Sequence, residues 1–244
     1  MVSVLAVRGQ PPAAKPEPPL LVVAAPLHVT PGQTNKLSLR GLRLDGLTEL
    51  RSQEPRTFGK LLGKLSKVGV PQNAPPQLYG DTQIEVEVKL PAEVAGQLLS
   101  LTVVGPKGES NPVRVLVNDD TPRLAEKEPN NGFATAQVIS VPQALDGSIQ
   151  SGQDVDVYRI TGLAGQRLRC EVWAARLGSP LDPTLTLYSS AGQILASADD
   201  SAGSRDPILT VTLPTAGVYW LSVADALDQG GGTHAYRLSV RVQP

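Results

Sequence analysis

A chain of 244 residues can hold one large domain or two of about 100–120 residues, each with its own core. Glycine (23) and proline (22) are plentiful while aromatics make up only 4 %, which favours many short strands over long helices. The net charge is −1, split as +2 over residues 1–120 and −3 over 121–244, so neither half carries the basic field that nucleic acid or an anionic membrane selects.

A single cysteine, Cys170, excludes an internal disulfide and any cysteine-cluster zinc site. The opening MVSVLAVRGQPPAAKPEPP has no basic residue ahead of its apolar run and reads as a poor export signal. No stretch approaches the roughly 18 apolar residues a membrane helix needs, so no membrane span is expected. Residues 1–21 read as a proline-rich leader, extended over GQPPAAKPEPPL.

Strands are expected from LLVVAAPLHV onward. KLSLRG alternates with Leu37 and Leu39 inward, and IEVEVKL places Ile84, Val86, Val88 and Leu90 on one face. The same period of two returns in LLSLTVV and VRVLV. FGKLLGKLSKV breaks it, because Phe58, Leu61, Leu62, Leu65 and Val68 form a helical stripe, so a short helix is expected over 58–68. Residues 22–118 thus read as one β-sandwich, and the polar, turn-rich stretch 119–132 as an acidic linker. Beyond it, DVYRI, QRLRCEVWAARL, PTLTLYS, GQILASA, PILTVTL, GVYWLSV and HAYRLSVRV are strands divided by strong turn sequences. The fold class is all-β: two antiparallel sandwiches, the second over 133–244 and of jelly-roll type.

The linker sequence EKEPNN concentrates oxygen chemistry. Glu126 and Glu128 lie two apart and share a face in an extended segment, and Pro129 holds Glu128 extended. Asn130 and Asn131 can turn the chain and offer amide carbonyls, and Asp154 and Asp156 repeat the two-residue spacing at a strand entrance. Calcium takes six to eight hard oxygens of these kinds. The plainer reading is a solvated hinge and a polar strand end. Asp199, Asp200 and Asp206 read as a surface turn, and His234, after GGG, as an exposed loop histidine.

In RLRCEVWAA the inward set is Leu168, Cys170, Val172 and Ala174, so Trp173 points outward. Tyr188 opposes Leu185 and Leu187, and Trp220 opposes Tyr219, Leu221 and Val223. Three outward aromatics suggest either a platform for a polymer such as a polysaccharide, or packing against the first sandwich, a loop or a partner.

EKEPNN, DGSI, DVDVYRI, LAGQRLRCEV, LDPTLTLYSSAGQILASADD, LPTAGVYWLSV and HAYRLSV occur in that order. Together they resemble the bacterial pre-peptidase C-terminal domain, a jelly roll related to the collagen-binding domains of clostridial collagenases. The wording is most similar to versions in planctomycete proteins. PGQTNKLSLRGLRLDG and VVGPKGESNP resemble, more weakly, the Ig-like domains that precede this module. The resemblance implies a non-catalytic, exported module of the cell envelope or outside the cell, attached to a protease or other large enzyme. It also implies calcium held by Glu126, Glu128, Asn130, Asn131, Asp154 and Asp156. The chain departs from the family's D-x-D-aromatic-aromatic pattern by placing Val157 before Tyr158, which touches strand packing more than the oxygen ligands. The expected function is adhesion, or positioning an enzyme on a protein or polymer substrate, with a carbohydrate-binding module using Trp173, Tyr188 and Trp220 as the alternative.

Overall fold

The computed structural model describes residues 17–94 and 96–244; the expected leader lies outside the described residues as far as residue 16. In the first half the strands are β1 (Leu20–Ala25), β2 (His28–Val29), β3 (Thr34–Leu42), β4 (Glu49–Ser52), β5 (Phe58–Lys67), β6 (Thr82–Lys89), β7 (Leu98–Gly105), β8 (Gly108–Glu109) and β9 (Val113–Val117). One helical turn, α1 (Pro76–Tyr79), precedes β6. One sheet runs β1-β3-β6-β5 and the other β2-β9-β7-β4, with β8 paired to β7. The alternating residues sit side by side on the inner face of one sheet: Leu37 and Leu39 of β3 pair with Val86 and Ile84 of β6, and with Val88 they bury in the core.

The helix expected over 58–68 is a strand. Leu61 pairs with Val86 and Leu65 with Ile84, although only one residue separates the partners on β6. A bulge absorbs the surplus at Gly63, whose φ of +80° suits glycine. Both leucines therefore sit beside core-facing residues, and the bulge alone produces their helix-like spacing. Phe58 ends the stripe 63 % exposed on this edge strand.

The second half contains β10 (Arg123–Ala125), β11 (Gln137–Val138), β12 (Gln143–Ser148), β13 (Val155–Gly162), β14 (Arg167–Trp173), β15 (Pro183–Tyr188), β16 (Ile194–Ala198), β17 (Ile208–Thr212), β18 (Gly217–Asp225) and β19 (Ala235–Val242). Its sheets run β10-β12-β19-β14-β17 and β11-β13-β18-β15-β16. Pairing is antiparallel except β10 with β12 and β11 with β13. The acidic stretch expected as linker thus supplies an edge strand to the second sandwich. Leu168, Cys170, Val172 and Ala174 enter the core with Leu185, Leu187, Tyr219, Leu221 and Val223, and burial pushes the Cys170 thiol up to about 12. No helix among the described residues is long and apolar enough to cross a membrane.

A third apolar cluster joins the two sandwiches. Val23, Leu27 and Leu116 of the first meet Trp173 and Leu177 of the second. Gly178 makes the approach possible: its φ is +89°, and a Cβ there would lie 2.0 Å from the Val22 carbonyl oxygen. A polar seam flanks the cluster. Arg237 donates from Nε and Nη2 to Asp146 at 2.7 and 2.8 Å and from Nη1 to Asn118 Oδ1 at 2.5 Å. Asn118 in turn donates to Thr30 Oγ1 at 2.9 Å. Burial raises the Asp146 pKa, but His28 and Arg237 outweigh it and hold the carboxyl below its ordinary value.

Candidate metal centre

Strand pairing sets the acidic segment in place. The parallel ladder of β10 and β12 continues one residue further, where Glu126 N–H donates to Asp146 O at 2.8 Å. Ser148 N–H then donates to Glu126 Oε2 at 3.0 Å, fixing that carboxylate beside β12. After the cis Glu128–Pro129 bond the chain turns back, and Asn130 O accepts from Val157 N–H at 3.0 Å at the start of β13. Asn130 N–H donates to Glu128 Oε2 at 2.7 Å. Asp156, fully buried on β13, points toward the same spot. One carboxylate oxygen each from Glu126, Glu128 and Asp156 lies within 4.8 Å of the others.

Asn130 adds an oxygen to these three carboxylates. Asn130 is fully buried and donates from Nδ2 to Glu126 Oε1 at 3.1 Å, leaving Oδ1 without a partner. Asp156 Oδ2 accepts from Tyr236 OH at 2.5 Å, while its buried Oδ1 accepts from no N–H or O–H group of another residue. Buried oxygens are rarely left unsatisfied. Here they accompany a knot of carboxylates, so the donor set fits a hard cation such as calcium.

Charge crowding shows in the titration of the same groups. Burial, then the hydrogen bond to and charge of Glu126, push Asp156 up to about 9, against the opposing bond from Tyr236. Burial also raises Glu128, with the charges of Asp154 and Glu126 adding to it. At neutral pH, Asp156 therefore holds a proton where a cation would otherwise balance the cluster.

Asn131 and Asp154 stand one step back. Asn131 Nδ2 donates to Asp154 Oδ1 at 2.7 Å, and Gln150 N–H donates to Asp154 Oδ2 at 2.6 Å. Both Asp154 oxygens are thus engaged in tying the 130–131 turn to the β12–β13 loop. Of the six residues expected at the site, Glu126, Glu128, Asn130 and Asp156 converge. Sequence reasoning missed Tyr158 and Tyr236. Tyr158 OH lies 3.3 Å from Glu126 Oε1 and hydrogen-bonds Tyr236 OH, which continues to Asp156. The signal was present, since both tyrosines alternate with inward apolar residues and a buried phenol needs a partner.

The three outward aromatics do not share a surface. Trp173 is 9 % exposed in the contact between the sandwiches, with the Arg176 guanidinium 3.6 Å over its ring centroid. Tyr188 and Trp220 are cross-strand partners on β15 and β18, and Phe133 covers both. Its ring is stacked 4.8 Å from Trp220 and lies edge-on 5.1 Å from Tyr188. Trp220 Nε1–H donates to Phe133 O at 3.2 Å, closing the loop onto the sheet. Trp220→Ala should destabilise the protein by about 1–3 kcal/mol in denaturant titration, because it strips the loop of its stacking partner.

Two other expectations change. Asp206, expected in a surface turn, is buried and accepts from Ala175 N–H at 2.7 Å and Arg176 Nε at 2.8 Å, fixing the 3-10 turn Ala175–Leu177. His234, expected as an exposed loop residue, is 1 % exposed, with its ring centroid 6.1 Å from that of Tyr79. The glycine run lets its loop press on Ser151, where a Cβ at Gly230 would come within 2.3 Å of the backbone.

Two joined sandwiches, with the buried Asp156 beside Glu126 and Glu128 at an edge strand, define a β-sandwich module. Residues 154–225 match the model of the bacterial pre-peptidase C-terminal domain, so the resemblance read from the sequence holds over that stretch. A probable subtilase-type serine protease of Deinococcus radiodurans is 36 % identical over 100 residues, covering 40 % of this chain and 14 % of the protease. The pre-peptidase C-terminal domain of a Bacillus anthracis collagenase aligns at 18 % identity with a TM-score of 0.36, covering 50 % of this chain and all of that one. The secreted serine protease VesC of Vibrio cholerae aligns at 12 % identity and a TM-score of 0.30, covering 89 % of this chain and 49 % of the protease.

Proposed function

We propose that this chain is a non-catalytic, exported accessory protein, stabilised by calcium, that places an associated enzyme on an extracellular protein or polysaccharide. One observation carries the calcium part: three carboxylates, one of them the buried Asp156, converge beside the buried Asn130 Oδ1, which has no partner. Glu126, Glu128, Asn130 and Asp156 are the ligands. Asn131 and Asp154 hold the turn that presents Asn130. The ion supplies the positive charge that the crowded carboxylates lack and cross-links the acidic segment to β13.

The accessory part rests on the family match at 154–225 and on the stretch shared with a protease, which is a small fraction of that protease's length. Ca²⁺ also bears on the joint between the sandwiches. Glu126 bonds the backbone of Asp146, whose side chain holds Arg237 and, through it, Asn118. An ion at Glu126 therefore stiffens the seam that sets the two sandwiches against each other. Calorimetric titration tests the reading: a saturable heat with calcium and a much weaker one with magnesium is expected, since magnesium demands tighter octahedral geometry. No heat with calcium overturns it.

A further inference from the structure

Between the sandwiches, beside the Trp173 contact, lies a cleft of about 290 Å³ that the calcium reading does not use. This is close to the lower end of small-ligand pockets, roughly 300–1,000 Å³. Its floor is the outer face of β14 and β19, with Arg169, Arg241 and Ser239 in the lining. Asn118 and Gln97 line it from the first half of the chain, and the Trp173 indole lines it where the sandwiches meet.

The arginines are placed in an unusual way. Arg169 and Arg241 are direct cross-strand partners. Like charges directly opposite each other destabilise a sheet. Each is ion-paired to one carboxylate that also lines the cleft. Arg169 donates from Nη2 to Glu171 Oε2 at 2.9 Å, but the other oxygen of Glu171 is taken by Arg176 at 3.0 Å. Arg241 donates from Nε to Ser239 Oγ at 3.1 Å and from Nη2 to Asp119 Oδ2 at 2.6 Å. Among the described residues, Nη1 of both arginines has no hydrogen-bond partner. The Asp119–Arg241 pair is a contact from the inter-sandwich segment onto β19, and Asp119 itself lines the cleft.

We propose that this cleft is a binding site for a carboxylate group, taken between the guanidinium groups of Arg169 and Arg241. Guanidinium N–H groups match the planar carboxylate in spacing and direction, and the sheet register sets two arginines opposite each other on the cleft floor. Ser239, Gln97 and Asn118 add hydroxyl and amide groups suited to the polar substituents of a sugar acid or of an acidic amino acid. Asp119 occupies part of this site as an internal carboxylate, so the ligand enters by displacing it from Arg241. Because Asp119 belongs to the segment joining the sandwiches, occupancy reports on that joint.

The test is calorimetric titration of the full chain with glucuronate, N-acetylglutamate and inorganic phosphate, each at matched ionic strength. One of the two carboxylates should bind saturably and more tightly than phosphate; which one does separates a sugar-acid source from an acidic-peptide source. Arg241→Gln should weaken that binding by about tenfold or more, the scale of a lost charge-assisted pair. Asp119→Asn should tighten it, because the internal competitor loses its charge. A merely structural role for the arginines cannot produce this opposite effect. The proposal is overturned if neither carboxylate binds, if phosphate binds as tightly, or if Asp119→Asn weakens binding in a protein whose melting temperature is unchanged.

Discussion

Calcium at a hundredfold excess over its dissociation constant should raise the melting temperature by roughly 5–10 °C, which is about 2.7 kcal/mol spread over a chain of this size. Asp156→Asn should remove that rise and yet leave the calcium-free protein nearly as stable as before. The reason lies in the charge state. With the Asp156 pKa pushed up to about 9 by burial and by Glu126, the group is already neutral at pH 7, and a neutral amide of the same shape can still accept from Tyr236. Calcium needs the ionised form, which asparagine cannot supply. The pH dependence has a definite sign. The folded pKa lies above the ordinary value of 3.8, so between about 4 and about 9 the native state binds more protons than the unfolded one. Asp156 therefore makes calcium-free stability fall as pH rises through that window. Calcium expels the proton, so the gain in melting temperature should grow with pH across the same window and level off above it. Asp154→Ala should shrink the gain without abolishing it, since it loosens the Asn131 turn and leaves the four ligands in place. An undiminished gain in Asp156→Asn locates the ion elsewhere.

Face patterns were legible in the sequence because strand geometry is local. Ile84, Val86 and Val88, or Leu168, Cys170 and Val172, need only the period of two to be placed inward, and all are buried. The 58–68 segment misled because a bulge changes the period without changing the residues: Leu61 and Leu65, four apart as in a helical stripe, pair with the core residues Val86 and Ile84. The chemistry of the acidic segment was legible by residue type, but its convergence was not. Glu126 and Asp156 are brought together by the parallel pairing of β10 with β12 and by a single bond from Val157 to Asn130, and neither leaves a mark in local spacing. His234 was misread for a related reason. Glycine runs usually mark exposed loops, and nothing in GGG says that the chain presses onto Ser151 and lies beside Tyr79. Trp173 was correctly turned away from its own core, but alternation cannot say what covers an outward face.

That cover is where the second large effect is expected. Each sandwich has its own core, so the coupling between them rests on the Val23, Leu27, Leu116, Trp173 and Leu177 cluster and the Arg237 seam, with the Tyr79–His234 contact and the Asp119–Arg241 pair beside them. Trp173→Ala should cost about 3–5 kcal/mol, the usual loss for a buried tryptophan, and it falls almost wholly on the contact rather than on either core. The calorimetric melt should then separate into two transitions, one for each sandwich. Gly178→Ala should split it in the same way by the opposite route, because the added Cβ drives into the Val22 carbonyl and wedges the surfaces apart. An exposed ligand platform at Trp173 predicts neither outcome, since trimming an outward ring would leave a single melt near its original temperature. In the Trp173→Ala protein, calcium should raise the transition of the second sandwich alone, because Glu126, Glu128, Asn130 and Asp156 all belong to it. In the unaltered chain the same ion should move the single transition as a whole, through Glu126, Asp146, Arg237 and Asn118 in turn. If calcium lifts both transitions equally in the split protein, the ion does not act at the second sandwich, and the path through Asp146 is wrong.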